Sequence, residues 1–544
     1  KAGETNQGIY KNKLFIDLLT ENTLNYNKTF GQHDFSVLLG YTAEKTTTTT
    51  AGITGTAFPT DYIHTLNAAT SITLGPDNTY TFKEQDALMS VLGRVNYAYA
   101  DKYLASVSAR TDGSSKFAKG NRWGWFPSVS LGWRISEEPF LKKYYWLSSL
   151  KLRASWGLTG NNDIANYSFM NKLSSANYSF GSGTGKVSSG LANPTSVIAN
   201  RDITWEQSSE YNYGLDLSLF DNRINFSGEY YYSETVQMLY QQTALSITGF
   251  QKFWNNIGKV ANKGFEFELR TMNIDKEKFS WKSSFNISFN KNELLDLAGE
   301  VRQINYGERQ ESYLAEVGKP SIQYYLFKTT GVWKSDEEVA NNPHHTNDKA
   351  GGLRVWDAND DGEITDADRV TCGTPFPDFT WGFTNSFNVY GFDISVMLQG
   401  SQGGKVFNGD GYYNETWKFN KMFKDTNYWI SPDHPGNGVS PYQLYGIDPE
   451  LTDYLLEDAS YWSVKDIVVG YKFPKTITKK IGLNGLRLYA SIQNLYVHFA
   501  SNYRGVNPEA RYTSGNYANP LISGYQRGSF PMERSFNFGI DINF

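Results

Sequence analysis

The last ten residues, SFNFGIDINF, place Phe536, Phe538, Ile540, Ile542 and Phe544 on one face of an extended chain. Ser535, Asn537, Gly539, Asp541 and Asn543 fall on the other. Side chains of a strand point alternately to its two faces, so strict period two specifies a strand between two different environments. The pattern recurs. Phe392, Ile394, Val396 and Leu398 alternate with Asp393, Ser395, Met397 and Gln399, and Tyr211, Tyr213, Leu215, Leu217 and Leu219 with Asn212, Gly214, Asp216 and Ser218. This criterion predicts about fifteen strands. They lie near 13–30, 33–46, 90–101, 103–112, 125–136, 149–160, 205–220, 223–240, 257–273, 279–293, 379–389, 392–408, 460–473, 486–499 and 534–544.

The connections constrain the fold further. Segments 31–33, 101–102, 221–222, 274–278 and 390–391 read as tight turns. Long connections are expected near 47–89, 161–204, 298–378, 409–459 and 500–533. Short and long alternate along the chain. Structureless loops of that length are unusual in compact soluble domains, whereas outer-membrane barrels pair short periplasmic turns with long extracellular loops. A β-sandwich predicts turns every 8–12 residues and no one-sided rule, and a propeller predicts an internal repeat that is not found. The expected class is therefore all-β, a transmembrane antiparallel β-barrel. Lipid tolerates no unpaired sheet edge, and single-chain bacterial barrels generally have an even strand number. An odd count leads to the expectation that an N-terminal portion lies outside the sequence.

Composition agrees. Among 544 residues, 16% are aromatic, led by 37 Tyr and 34 Phe, which favours strands. No apolar run approaches the roughly 18 residues of a transmembrane helix. The net charge of -5 gives no case for nucleic acid. Cys372 is the only cysteine, which excludes an intrachain disulfide. The opening KAGETNQGIYKNK contains no basic-then-apolar export segment, so either such a segment has been removed or the chain is part of a longer one.

One motif stands apart. In VWDANDDGEITDADR, Asp357, Asn359 and Asp361 occupy positions 1, 3 and 5 of a calcium loop. Gly362 makes the turn at 6, the Glu363 carbonyl falls at 7, Thr365 at 9 and Asp368 at 12. Hard cations require several oxygens on a flexible loop, and this spacing wraps the chain around one ion. Asp at 12 is shorter than the usual Glu, which weakens bidentate ligation and makes Mg²⁺ a competitor for Ca²⁺. The plain alternative is an Asp-rich solvated turn. The flanks Val355 and Trp356 and Arg369–Thr371 read as extended rather than helical. The expected role is a static clip on the 298–378 loop.

Other motifs carry less. GSGTGK at 181–186 lacks the first Gly and the Ser/Thr of a phosphate loop. His344 and His345 are adjacent, so their side chains diverge. No GxSxG or HExxH occurs, and nothing argues for an enzyme. Tyr412, Tyr413, Trp417, Tyr428 and Trp429 in the 409–459 loop can stack on sugars or pack among themselves, and self-packing or contact with a partner is preferred.

Seven stretches in order resemble SusC/RagA-type TonB-dependent transporters of the Bacteroidota outer membrane. The most specific is ARTDGSSKFAKGNRWGWFPSVSLGWRISEEPF at 109–140. SLKLRASWGLTGNND (149–163), ITWEQSSEYNYGLDLSLFDNRINFSGEYYYSETVQML (203–239) and NIGKVANKGFEFEL (256–269) follow. DANDDGEITDADR (357–369), PDFTWGFTNSFNVYGFDISVMLQGSQGGKVFN (377–408) and LRLYASIQNLY (486–496) complete the series. The resemblance implies a C-terminal barrel portion, about 15 of an expected total of about 22 strands, with the N-terminal plug absent from this sequence. It implies a SusD-like lipoprotein lid, coupling to TonB–ExbB–ExbD through the missing part, and import of an oligosaccharide or, second, a peptide. Similarity to outer-membrane barrels generally implies that Phe544 and Phe536 form a signal for the barrel-assembly machinery. The rivals are a passive porin and a barrel used for protein assembly or adhesion.

Overall fold

The computed structural model describes residues 6–74, 78–171, 174–179, 187–192, 197–243, 247, 252–414, 426–442 and 446–544. Fifteen strands follow one another in a single antiparallel order: β1 (Gln7–Phe30), β2 (His33–Thr56), β3 (Tyr80–Tyr99), β4 (Tyr103–Ser114), β5 (Trp123–Arg134), β6 (Leu147–Asn161), β7 (Glu206–Leu219), β8 (Ile224–Val236), β9 (Lys259–Lys276), β10 (Phe279–Asp296), β11 (Phe379–Val389), β12 (Phe392–Gln402), β13 (Tyr461–Lys472), β14 (Gly485–Phe499) and β15 (Ser535–Asn543). Sequence neighbours are sheet neighbours throughout. No described helix is long and apolar enough to cross a membrane, which says nothing against crossing by strands.

Register follows the alternation. Leu488 faces Ile540 and Ile492 faces Phe536 across β14–β15, while Phe387 faces Ile394 and Phe383 faces Leu398 across β11–β12. A slip of one residue would turn every apolar side chain to the polar face, so the pattern holds the register. The tight turns suit hairpins. In the three-residue turn 100–102 between β3 and β4, Ala100 and Asp101 both have positive φ (51° and 59°), and Lys102 N donates to Tyr99 O (2.9 Å).

All fifteen expected strands are present, but several ends differ. β2 continues through Thr46–Thr50 to Thr56, and β3 begins at Tyr80, so the first long connection is 57–79 rather than 47–89. The threonine run reads as polar loop, yet Thr is β-branched and suits a pleated surface; Thr50 pairs with both Lys13 and Phe82. Conversely, β12 stops at Gln402 instead of 408. Gly403 and Gly404 both adopt positive φ (73° and 74°), and Lys405–Asn408 pairs with Leu456–Asp458 and Tyr525–Gln526 instead. β8 likewise ends at Val236, and Leu239–Thr243 pairs with Lys252–Asn256.

The chain sorts into two compact units. One comprises Lys1–Leu131, Trp156–Ser209 and Val236–Ile257; the other comprises Gly132–Ser155, Glu210–Thr235 and Gly258–Phe544. The first has a small core of Phe117, Phe126, Ile164, Ile203, Trp205 and Leu239. In the second, the largest buried cluster is Tyr313, Ile322, Tyr324, Leu326, Phe407, Leu455, Leu456, Tyr517, Ile522 and Tyr525. None of these ten lies on the fifteen-stranded sheet. The apolar rows of the sheet are instead exposed: Phe538 is 83% accessible and Ile540 63%.

Candidate functional site

Three long connections of the second unit, 297–378, 403–460 and 500–534, pack into one layer. Tyr324 is fully buried, and its hydroxyl points at the carbonyls of Lys405 (3.0 Å) and Gly524 (3.1 Å), one on each of the other two connections. Gly524 has φ of 86°, and a Cβ there would strike that hydroxyl, so glycine is required twice over. Phe407 N–H donates to Gly524 O (2.8 Å) and its ring stacks on Tyr525 at 5.8 Å. Arg504 Nε bonds buried Glu457 at 2.8 Å, and Asn408 Nδ2 donates to the same carboxylate at 3.0 Å. Tyr324, Phe407 and Arg504 each find a partner on another connection, so the layer holds together by contacts distant in sequence.

Beneath its surface sit two buried acids, Glu311 (1% exposed) and Glu450 (2%). Glu311 accepts from Arg309 N (3.0 Å) and from the Tyr517 hydroxyl. Burial pushes its carboxyl above the ordinary range. Burial, then the negative charges of Asp448 and Glu311, push Glu450 up to about 9 against the opposing pull of Arg309 and Arg527. Glu450 thus holds its proton at neutral pH. Over it, the Arg309 guanidinium lies 5.3 Å from the Tyr412 ring and 5.4 Å from Tyr413. Arg527 lies 5.5 Å from Tyr413 on a 3.0 Å bridge to Glu308. Tyr428 and Trp429 are buried. Four of the five aromatic residues singled out in the 409–459 loop are therefore engaged within the protein; Trp417 lies outside the described residues, as does GSGTGK at 181–186.

The acidic loop sits against the same layer. Ile364 packs with Phe327, Leu353, Val355 and Ile447 and pins the loop's middle. Asp368 is fully buried; one oxygen accepts from Ala358 N (2.9 Å) and the other from Thr365 N (2.8 Å). Asp357 Oδ2 accepts from Gly362 N (2.9 Å), and Asp361 Oδ1 from Glu363 N (2.9 Å). Asn359 Oδ1 accepts from Asp361 N (3.0 Å) while its amide donates to Asp361 Oδ2 (2.8 Å). Gly362 has φ of 87°, the left-handed turn the motif needs. The flanks are extended: Leu353–Val355 pairs with Thr329–Val332, and Arg369–Thr371 with Gln323–Phe327. Asp357 Oδ1 is buried with no hydrogen-bond partner, an orphan a cation would satisfy. Among the described residues, however, no three His, Cys, Asp or Glu side chains converge on one point. The donor set that fits is two carboxylates with the Asn359 amide oxygen and the Glu363 carbonyl, suited to a hard cation held weakly.

His344 Nδ1 lies 2.8 Å from Asn342 O, whereas the His345 backbone N–H donates to Asp348 and its ring Nδ1 is buried with no hydrogen-bond partner. Phe536 is exposed on β15, which pairs with β14, and Phe544 is exposed just beyond the end of that strand. Sequence reasoning missed the Glu311–Glu450 pair. It also missed the charge networks on the polar face of the sheet, where Arg153 bridges Asp216 (3.1 Å) and Glu229, and Arg487 bridges Asp393 (2.6 Å) and Asp541 (2.9 Å). The available signal was that these charges occupy the polar positions of the alternation.

The family described as TonB dependent receptor-like, beta-barrel, matches residues 3–495. TonB-dependent receptor P3 of Formosa agariphila is 33% identical over 100% of this chain and 54% of its own length. TonB-dependent receptor SusC of Bacteroides thetaiotaomicron is 30% identical over 85% of this chain and 44% of its own. Among solved structures, the RagAB peptide transporter has a TM-score of 0.79 at 23% identity, covering 99% of this chain and 57% of that one, a likeness of fold. The chain spans about half the length of the curated relatives it matches.

Proposed function

The chain belongs to the TonB-dependent receptor-like β-barrel family, of SusC/RagA type, and from that premise we propose that the protein containing it imports a large nutrient across the bacterial outer membrane. This family comprises transporters rather than enzymes and resides in the outer membrane. One observation carries the reading for these residues: the sheet leaves apolar rows exposed on one face and keeps its charge networks on the opposite face. Such a wall separates hydrocarbon from a wet interior. An oligosaccharide is the first choice of solute and a peptide the second. The second gains support from a structural relative that is a peptide transporter.

In this reading the three packed connections form the outer rim on which a SusD-like lipoprotein seats. TonB–ExbB–ExbD supplies energy through a part outside this sequence. The 357–368 loop holds Ca²⁺, with Mg²⁺ as competitor, through Asp357, Asn359, Asp361 and the Glu363 carbonyl, while Asp368, expected as a further ligand, caps the loop's backbone instead. Bound there, the ion would neutralise the carboxylates and stiffen the loop, with no part in chemistry. Phe544 and Phe536 present the signal to the assembly machinery, and deletion of Phe544 lowers the amount of assembled protein.

The test is growth of a deletion strain on a panel of glycans and peptides as sole nutrient, with co-purification from the wild type. Loss of growth on one class, together with a co-purifying lipoprotein, supports import. Unchanged growth with open-channel conductance in planar bilayers overturns it in favour of a porin.

A further inference from the structure

Seven connections join the strands at the tight-turn end. Five are short: 31–32, 100–102, 220–223, 277–278 and 390–391. The other two, 135–146 and 473–484, are longer and both belong to the second unit. The 473–484 segment, FPKTITKKIGLN, carries Lys475, Lys479 and Lys480 and no acid. Among the described residues, none of these ammonium groups reaches a carboxylate within ion-pair distance. In a chain of net charge -5, that is a local excess of three positive charges with nothing of its own to balance it.

The segment is built to hold one orientation. Lys475–Thr478 forms a helical turn continued by Lys479–Ile481 and closed by Gly482 at φ of 76°. Thr478 is fully buried, and its carbonyl accepts from Leu483 N at 3.0 Å, which closes the turn, while Phe473 N and Asn484 N donate to Leu486 O (2.9 Å) and Asn543 O (2.8 Å) of the sheet. Ile477 and Ile481, one helical turn apart, are left 50% and 61% exposed. The chain enters through Phe473, set edge-on to Tyr471 at 5.0 Å, and Tyr471 lies 4.7 Å from Phe392. Exposed Tyr390 and Phe544 lie at the same end. Aromatic rows of this kind mark where a wall passes from hydrocarbon to headgroups.

We propose that residues 474–482 are an interfacial anchor for anionic phospholipid of the periplasmic leaflet, with Ile477 and Ile481 among the acyl chains and Lys475, Lys479 and Lys480 at the phosphates. Two features argue for lipid over a soluble partner. The apolar and basic groups share one short element at the depth where the aromatic row ends, and the charge is uncompensated. Apolar insertion combined with lysine–phosphate attraction is how amphipathic segments lie in an interface. The sister turn 135–146 is an internal contrast. It exposes Phe140, Tyr145 and Trp146, but its Lys142 pairs with Glu137 at 3.0 Å, and its two lysines are matched in number by two acids, Glu137 and Glu138. It therefore enters the interface without preference for lipid charge.

The test uses the full-length receptor in a Cys372→Ser background, with an environment-sensitive dye on a single cysteine at position 477, 145 or 484. Each is reconstituted into vesicles of phosphatidylcholine alone or mixed with phosphatidylglycerol. Correct folding is checked by heat-modifiable gel mobility. The dye at 477 is expected to shift to the blue when phosphatidylglycerol is added. Lys475→Glu, Lys479→Glu and Lys480→Glu together abolish the shift, and the dye at 145 reports the same environment in both lipids. The proposal is overturned if the dye at 477 is as accessible to aqueous quencher as the one at 484 in both lipids. It is equally overturned if the blue shift survives the triple substitution, which would mean cover by protein. None of these readings depends on transport.

Discussion

The sheet and the layer formed by its long connections treat the same residue types in opposite ways. On β5 and β9, Trp125, Leu131, Phe265 and Leu269 are exposed. In the connections, Tyr313, Tyr324, Leu326 and Phe407 are fully buried. Both arrangements follow from one rule, that apolar surface avoids water, applied in two solvents. The connections meet water and fold as an ordinary globular layer. The sheet meets hydrocarbon on one face, so its apolar rows gain nothing from hiding, and its polar groups pair on the other face. Arg153 with Asp216 and Glu229, and Arg487 with Asp393 and Asp541, are that second face.

The comparison can be broken from either side. The largest effect is expected from truncation in the layer. Phe407→Ala removes a ring stacked on Tyr525 and should cost about 3–5 kcal/mol, with unfolding confined to the connections. Denaturant titration followed by limited proteolysis checks this; loss of the sheet along with the layer would mean the two do not fold by separate rules. Next is a charge on the lipid face. Phe265, in rows with Phe267 (6.1 Å) and Tyr230 (5.0 Å), is exposed and costs nothing to make polar if water surrounds it. In hydrocarbon, Phe265→Arg costs about 2–4 kcal/mol near the midplane. Refolding equilibria in lipid vesicles distinguish the two, and a neutral result would remove the membrane assignment of this face.

Glu450 sharpens the aqueous side. Its folded value of about 9 lies above the ordinary 4.5, so between those limits the folded layer holds a proton that the unfolded chain has released. Stability from this group is full below pH about 4.5 and is lost as pH rises through about 9. The denaturant midpoint of the layer should fall from pH 5 to pH 9, and Glu450→Gln should flatten the slope. An unchanged slope in the variant places the proton elsewhere. The smallest effect belongs to the acidic loop. Asp357→Ala with Asp361→Ala should speed proteolysis between β10 and β11 without altering the sheet, and a chelator should do the same to the native protein. Identical digestion in all cases would remove the cation from the account.

The wall was legible because its information is local. The polarity of residues i and i+2 reports which face meets lipid, and fifteen such stretches sufficed to place fifteen strands. Ends failed where a local signal misled. Thr47–Thr50 looks like loop, yet a sheet whose other face is wet accepts it, whereas 403–408 looks like strand until two glycines turn it away. The acidic loop was legible as a spacing of oxygens, but not the pinning of its centre by Ile364 or the capping of its backbone by Asp368.

By itself, then, the order of residues determined a two-faced antiparallel sheet with long connections at one end, because alternation is written within each strand. Only the tertiary structure decided what those connections become. Tyr324 meets Gly524 across 200 positions, Tyr517 meets Glu311 across 206, and Glu450 holds a proton because distant segments shield it from water. A periodic pattern cannot encode such pairings; they exist because burying scattered aromatic rings from three segments at once is the way the layer removes them from water.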